Sequence, residues 1–430
     1  MNPKILYVIL DGLGDRPVEA LAGRTPLEAA STPNLDRLAA SGQQGLVTTV
    51  GEGIAPESDV AVMAVLGYDP TVYHTGRGPL EALGAGVAFG DGDLALRGNF
   101  ATGGEGRAIV DRRVGRNLTS GEARALAAAV TRQVRLEGAR VTVAATVAHR
   151  CVVVIHPERG RLSAQVSNTD PAYGRLGGLG VAKTSFVEEV VACEPLDGSP
   201  EARAAAALVN AFTERARAVL DDHPVNAARR AEGKLPANLI LLRDGGDHVP
   251  RVPSMKERFG VRLGCFVEMP VERGIAKVLG MGIVEVPPRP GADRAETYEA
   301  WARRALEVLP DYDGLYLHLK GPDEPGHDGD ALAKRRVIEE IDAGFFGTLL
   351  PGIERGRTVL AVTADHATPC ELRGHAADPV PLLVWGGNGE ADGAGRFTER
   401  VAAKGALGHL RGVDILPLLV RRAARRPDAP

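Results

Sequence analysis

Six residues with side chains suited to divalent cations sit at the two ends of this 430-residue chain: Asp11 near the start, and Asp323, His327, Asp365, His366 and His375 within about fifty residues of one another near the end. Carboxylate and imidazole donors suit a hard-to-borderline ion, and six of them are enough for two ions. In Gly321-Pro322-Asp323-Glu324-Pro325-Gly326-His327 the Asp and His are four residues apart, on what reads as a loop shaped by Gly and Pro. Taken alone, that spacing also fits a strand-end turn with a capping aspartate. The adjacent pair Asp365-His366 closes the apolar run Val359-Leu360-Ala361-Val362, and both side chains can reach one ion only where the strand ends and the backbone turns. Ser58 precedes an apolar, helix-like run, which places it at or near a helix N-terminus, as an ordinary cap or facing an anion.

Buried strands must position these groups. The runs Lys4 to Asp11, Leu315 to Lys320, Thr358 to Asp365 and Pro381 to Gly386 are continuous, apolar and bounded by turn residues, as in a parallel sheet. Helical patterns lie between them at Thr32 to Ser41, Ala295 to Leu309 and Ala331 to Phe346. An α/β core with a mainly parallel sheet flanked by helices is expected, with ligands at the carboxyl ends of its strands. From about Asp91 to Arg161 short strand-like runs alternate with Gly-rich turns, followed by a helical stretch at Ala202 to Leu220 and a strand-like Asn238 to Leu242. An inserted α+β domain is expected over 89–250, with 1–88 and 251–430 forming the core. The end Arg421 to Pro430 reads as a solvated tail.

Composition narrows the function. Hydrophobic residues at 44% and charged residues at 25% are those of a globular protein, and a chain of 430 residues suggests two domains. Interleaved charges, 51 basic against 55 acidic for a net −4, argue against a nucleic-acid surface. Cys151, Cys193, Cys265 and Cys370 form no C-x-x-C pair and read as reduced thiols. The run Ile5 to Leu10 is too short for a signal-peptide core and no stretch is long enough to span a bilayer, so a cytoplasmic enzyme without membrane partners is expected. Oligomeric state is left open.

Five segments together resemble the archaeal-type cofactor-independent phosphoglycerate mutases of the alkaline phosphatase superfamily. They are Leu10-Asp11-Gly12-Leu13-Gly14-Asp15-Arg16-Pro17, Pro56-Glu57-Ser58-Asp59, Thr75-Gly76-Arg77-Gly78-Pro79, His318 through Asp330, and Thr363-Ala364-Asp365-His366. The resemblance implies an alkaline-phosphatase-like core and two divalent ions, manganese foremost with Mg²⁺, Zn²⁺ or Co²⁺ as alternatives, and no organic cofactor. One ion would be held by Asp323, His327 and His375, the other by Asp11, Ser58, Asp365 and His366. Ser58 would be the nucleophile that takes the phosphoryl group from 3-phosphoglycerate and returns it to the 2-hydroxyl of the retained glycerate. Candidates for holding that substrate are His149, Arg150, Asp170, Arg112, Arg116, Arg229 and Arg243 in the insert, together with Lys277, which resembles a substrate lysine on the phosphatase side. His318 is expected to point into the core as a satisfied histidine and is left out of the site. A metal-dependent phosphomonoesterase or other phosphomutase, and more remotely a non-catalytic anion-binding protein, are the competing readings.

Overall fold

A computed structural model describes residues 3–176, 179–183, 185–286, 294–387 and 390–424. The chain divides into two compact units, Met1–Val72 with Pro253–Glu268 and Leu279–Pro430, and Tyr73–Val252 with Met269–Val278.

The first unit is built on an eight-stranded sheet in the order Gly282–Ile283, Leu263–Phe266, Gly314–Leu319, Lys4–Leu10, Thr358–Thr363, Val380–Gly386, Gln43–Thr48, Gly408–Arg411. All four apolar runs singled out in the sequence are strands of this sheet. The first five in that order run parallel, which brings their carboxyl ends to one edge. Val380–Gly386 departs from the expectation of a parallel strand, since it pairs antiparallel with both neighbours. A continuous apolar run reports burial on both faces and carries no direction. The helix expected at 295–309 spans Arg294–Val308, and the one expected at 32–41 spans Pro33–Ser41. The 331–346 pattern begins as the helix Ala331–Ile341 and widens to a π turn over Asp342–Phe346. There Asp342 accepts from Leu35 N at 2.8 Å and Asn34 N at 3.1 Å, capping the Pro33–Ser41 helix.

The second unit carries an antiparallel sheet, Ile109–Asp111, Leu94–Gly103, Arg150–Pro157 and Ala139–Ala145, with Leu239–Gly246 on the other side of Leu94–Gly103. Period-two alternation sorts its side chains. Leu94, Leu96, Val153, Ile155, Ile240 and Leu242 share a core with residues of the helices Ser120–Gln133 and Pro200–Asp221, while Ala95, Val152 and Val154 pack with Ala82 of the helix Arg77–Ala85. Helix Pro270–Val278 then lies against Arg77–Ala85 so closely that a Cβ on Gly274 would sit 1.9 Å from Leu80 O. Residues 73–88 and 269–278 therefore belong to this unit, where the sequence reading had assigned both to the core. Each segment's own pattern shows an amphipathic helix and is silent about which sheet it covers.

The four cysteines are buried thiols, with no disulfide among the described residues. No described helix is long and apolar enough to cross a membrane. Residues Arg421 to Ala423 complete the helix Gly412–Ala423, and 425–430 of the expected tail lie outside the described residues.

Candidate metal centre and active site

The central strand Lys4–Leu10 is flanked in parallel by Gly314–Leu319 and Thr358–Thr363, with Ile9 opposite both His318 and Thr363. Asp11 N extends the pairing by one bond to Leu319 O, 3.0 Å. Asp11 and Asp365-His366 therefore emerge side by side at the carboxyl edge. Beyond Thr363 the strand has ended, and the released backbone lets Asp365 and His366 turn to the same side. Asp365 Oδ1 accepts from Gly12 N and from His366 N, both at 3.1 Å. Its Oδ2 lies 3.3 Å from His366 Nε2, which is 3.5 Å from Asp11 Oδ1. Ser58, the first residue of the helix Ser58–Val65, places its Oγ 3.5 Å from the same Nε2.

Asp323, His327 and His375 form a second group whose ligand atoms lie within 4.8 Å of one another. The expected loop here is a short helix, Asp323–Asp328, in which the four-residue spacing puts Asp323 and His327 on one face. His327 Nε2 is 3.5 Å from Asp323 Oδ2, and His375 Nε2 is 3.6 Å from Asp323 Oδ1. The rings of His366 and His375 stack at 3.7 Å, joining the two groups. Gly12 makes room for this junction: its φ is +65°, and a Cβ there would sit 2.8 Å from Asp323 Cα and Oδ1.

The residues fit a divalent ion. Asp11 Oδ1 and Asp365 Oδ2 are buried and have no hydrogen-bond partner among the described residues, an arrangement that a cation would relieve. His327 Nδ1 meets Arg373 O at 3.1 Å, and His375 Nδ1 meets Pro56 O at 2.8 Å. A carbonyl only accepts, so each Nδ1 carries a proton, the arrangement that directs the Nε2 lone pair of a neutral imidazole to the site, as in metal-binding histidines.

Two further residues enter that sequence reasoning missed. His318 is buried as expected, yet its Nε2 lies 3.8 Å from Asp11 Oδ1 and 3.5 Å from Asp365 Oδ2. Lys320 Nζ lies 2.9 Å from Asp11 Oδ2. Burial pushes the Asp11 carboxyl up, but Lys320, His318 and His366 outweigh it and hold the group well below its ordinary value. Asp365 is likewise lowered, His366 and His318 prevailing over burial and Asp11. Both carboxyls are thus held toward the ionised form. Strand alternation already placed His318 on the face opposite Leu317 and Leu319, and its position two residues before Lys320 at a strand end was the available signal.

In the second unit the candidate substrate residues separate. Arg150 and His149 lie in a cationic field: burial, then Arg97 and Arg77, push Arg150 down to about 10, and burial, then Arg150, Arg113, Arg97 and Arg116, push His149 down to about 3. Arg97, Arg77 and Arg113 were not among the sequence candidates, although an arginine inside the apolar run 94–100 was a visible anomaly. Asp170 is occupied by Arg112 in a two-pronged pair at 3.0 and 2.7 Å. Arg243 stacks 3.3 Å over the Tyr173 ring, and Arg112 lies 5.4 Å from it. Arg229 is buried in a structural pair with Glu122 at 3.0 Å and donates to Leu235 O at 2.8 Å. Lys277 lies in the second unit, where its Nζ donates to Leu83 O at 2.7 Å.

Carboxylates and imidazoles at the carboxyl edge of a mainly parallel sheet, beside a serine that opens a helix, make up an arrangement suited to metal-assisted phosphoryl transfer. Known proteins agree with that class. A family model described as 2,3-bisphosphoglycerate-independent phosphoglycerate mutase matches residues 39–226. The chain is 46% identical to the protein of that name from Aeropyrum pernix, over 95% of this chain and 96% of that one. It is 40% identical to the one from Pyrobaculum neutrophilum, over 97% of each. Among solved structures, the cofactor-independent phosphoglycerate mutase from Thermoplasma acidophilum aligns at a TM-score of 0.64 and 33% identity, over 99% of this chain and 100% of that one. A Pyrococcus horikoshii protein aligns at 0.78 and 32%, covering all of both chains. The chain belongs to the 2,3-bisphosphoglycerate-independent phosphoglycerate mutase family.

Proposed function

We propose that this chain interconverts 3-phosphoglycerate and 2-phosphoglycerate through a phosphoserine at Ser58, with two divalent ions and no bisphosphoglycerate. The observation that carries the reading is the position of Ser58, first in its helix and 3.5 Å from His366 Nε2, at a helix N-terminus whose dipole favours an incoming anion. Ser58 Oγ attacks phosphorus, the bond from phosphorus to the 3-oxygen breaks, and that oxygen takes a proton. The retained glycerate then presents its 2-hydroxyl, a new bond to phosphorus forms there, the bond to Ser58 Oγ breaks, and the serine regains a proton. Asp323, His327 and His375 would hold one ion, and Asp11, Asp365, His366 and Ser58 the other. Such ions, manganese foremost, supply Lewis-acid polarisation of phosphoryl oxygens and of the attacking hydroxyl.

For the substrate carboxylate we assign the cluster of Arg97, Arg113, His149 and Arg150. The charges of Arg97, Arg113 and Arg150 disfavour one another and keep His149 neutral, and a bound anion with bidentate arginine contacts removes that repulsion. Arg229 has a structural task instead. A soluble, cytoplasmic setting suits this substrate.

A coupled assay with 3-phosphoglycerate and Mn²⁺ tests the reading. Formation of 2-phosphoglycerate without added bisphosphoglycerate is expected, whereas rapid phosphate release with no 2-phosphoglycerate would make the protein a phosphomonoesterase. Ser58→Ala should abolish turnover while Mn²⁺ binding is largely retained. Unchanged turnover in that variant would refute the nucleophile.

A further inference from the structure

Thr368, two residues beyond His366, is wholly buried, and its hydroxyl touches a ligand from each group. Oγ1 lies 2.7 Å from Asp323 Oδ1 and 3.1 Å from His366 Nδ1. An ionised carboxylate only accepts, so the single hydroxyl proton points to Asp323. The oxygen must then accept from His366 Nδ1–H, so that when a cation takes the place of any Nε2 proton the Nε2 lone pair is directed to the side of Asp11 Oδ1 and Asp365 Oδ2, at 3.5 and 3.3 Å.

The hydroxyl has little room to do otherwise. A β-branched side chain has few χ1 choices, and the backbone of Thr368 is held on both sides. Thr368 N donates to Gly14 O at 3.0 Å. Thr368 O accepts from Lys334 Nζ at 2.9 Å, and that buried ammonium also binds Asp15 Oδ2 at 2.8 Å and Gly14 O at 3.1 Å. Helix Asp323–Asp328 presses on the same point, since a Cβ on Gly326 would lie 2.5 Å from Thr368 O.

We infer that Thr368 is a positioning residue that makes occupancy of the two ion positions interdependent, an inference resting on the two-ion reading above. An ion that orders Asp323 also orders the hydroxyl, and the hydroxyl orients His366. The second ion then meets a ligand whose orientation is already set, which is positive coupling between sites without a large movement.

The experiment titrates the metal-stripped full chain with Mn²⁺, followed by calorimetry and by electron paramagnetic resonance. At one equivalent, the natural protein should show mainly the exchange-coupled signal of ion pairs. Thr368→Val, which keeps the shape and removes the hydroxyl, should show the six-line signal of isolated Mn²⁺ at one equivalent. Its second ion should bind about 10- to 100-fold more weakly, the usual effect of losing an outer-shell partner. Thr368→Ser should restore the coupled signal. Thr368→Ala carries the same expectation as Thr368→Val should the valine variant melt below the assay temperature. A valine or alanine variant with the natural coupled fraction and affinities overturns the inference, as does a natural protein that fills two positions independently. Failure of the natural protein to bind a second ion at all would instead overturn the two-ion reading.

Discussion

Gly12→Ala isolates the junction of the two ligand groups, because the substitution adds one methyl group and no charge. The new Cβ would sit 2.8 Å from Asp323 Cα, Cβ and Oδ1, where carbon contacts need about 3.5–4 Å. Something must therefore yield by roughly 0.7–1.2 Å, and Asp323 is the atom group in the way. The backbone adds its own cost, since φ of +65° is left-handed and costs an alanine about 1–2 kcal/mol. For a unit of this size that corresponds to a fall in Tm of roughly 2–8 °C. Moving a ligand by about 1 Å is worth on the order of 100-fold in rate. Gly12 N also donates to Asp365 Oδ1, so both groups are disturbed at once. The expected variant folds, melts a few degrees lower, binds Mn²⁺ more weakly and retains about 1% of the turnover. Calorimetric titration, a thermal melt and the coupled mutase assay read these three quantities. Turnover and Mn²⁺ affinity within twofold of the natural protein would refute the packing argument.

Arg229→Met should destabilise the second unit by about 2–4 kcal/mol, somewhat below a fully buried pair because Glu122 is partly exposed. Its kinetic constants below the melting temperature should be unchanged, and a raised KM would return Arg229 to the substrate site. Burial lifts the Glu399 carboxyl from 4.5 to about 7, with Oε1 buried and Thr25 Oγ1 donating to Oε2 at 2.7 Å. The folded state then binds more protons than the unfolded one between those values, so stability is greatest below pH 4.5 for this group and falls as pH rises through 7, by up to about 3 kcal/mol. That figure shrinks to the extent that water reaches the partly exposed side chain. Glu399→Gln should remove this part of the slope in urea melts at several pH values, and an unaltered slope would locate it elsewhere. Chelation should abolish turnover and added Mn²⁺ restore it; activity that survives exhaustive chelation would sink the metal reading.

Much of the fold was legible because burial on both faces leaves a continuous apolar run. All four such runs are strands of one sheet, and the breaks that end them are where Asp11 and Asp365 stand. What the runs do not carry is direction, so the antiparallel Val380–Gly386 strand was missed. The helix Pro270–Val278 was assigned to the wrong unit for a related reason: its partner is the Arg77–Ala85 helix, nearly two hundred residues away in sequence. Among the candidate site residues, Asp11, Asp365, His366 and Ser58, which the fold brings together, were singled out by chemistry and local spacing. The buried pair of Arg229 with Glu122 was not readable, because an arginine in such a pair and one facing a substrate look alike until the neighbours are known.

The sequence by itself determined which residue types suited to divalent ions and to an incoming anion this protein has, and that they sit at strand and helix ends. Those are local properties, set by side-chain chemistry, apolar runs and turn residues. The tertiary structure alone decided that His318 and Lys320 join Asp11, that Gly12 is pressed against Asp323, and that one threonine hydroxyl links Asp323 to His366. Each of these is a contact between segments up to about 310 residues apart in the chain, at a distance of a few ångströms, and only strand order and packing bring such segments together.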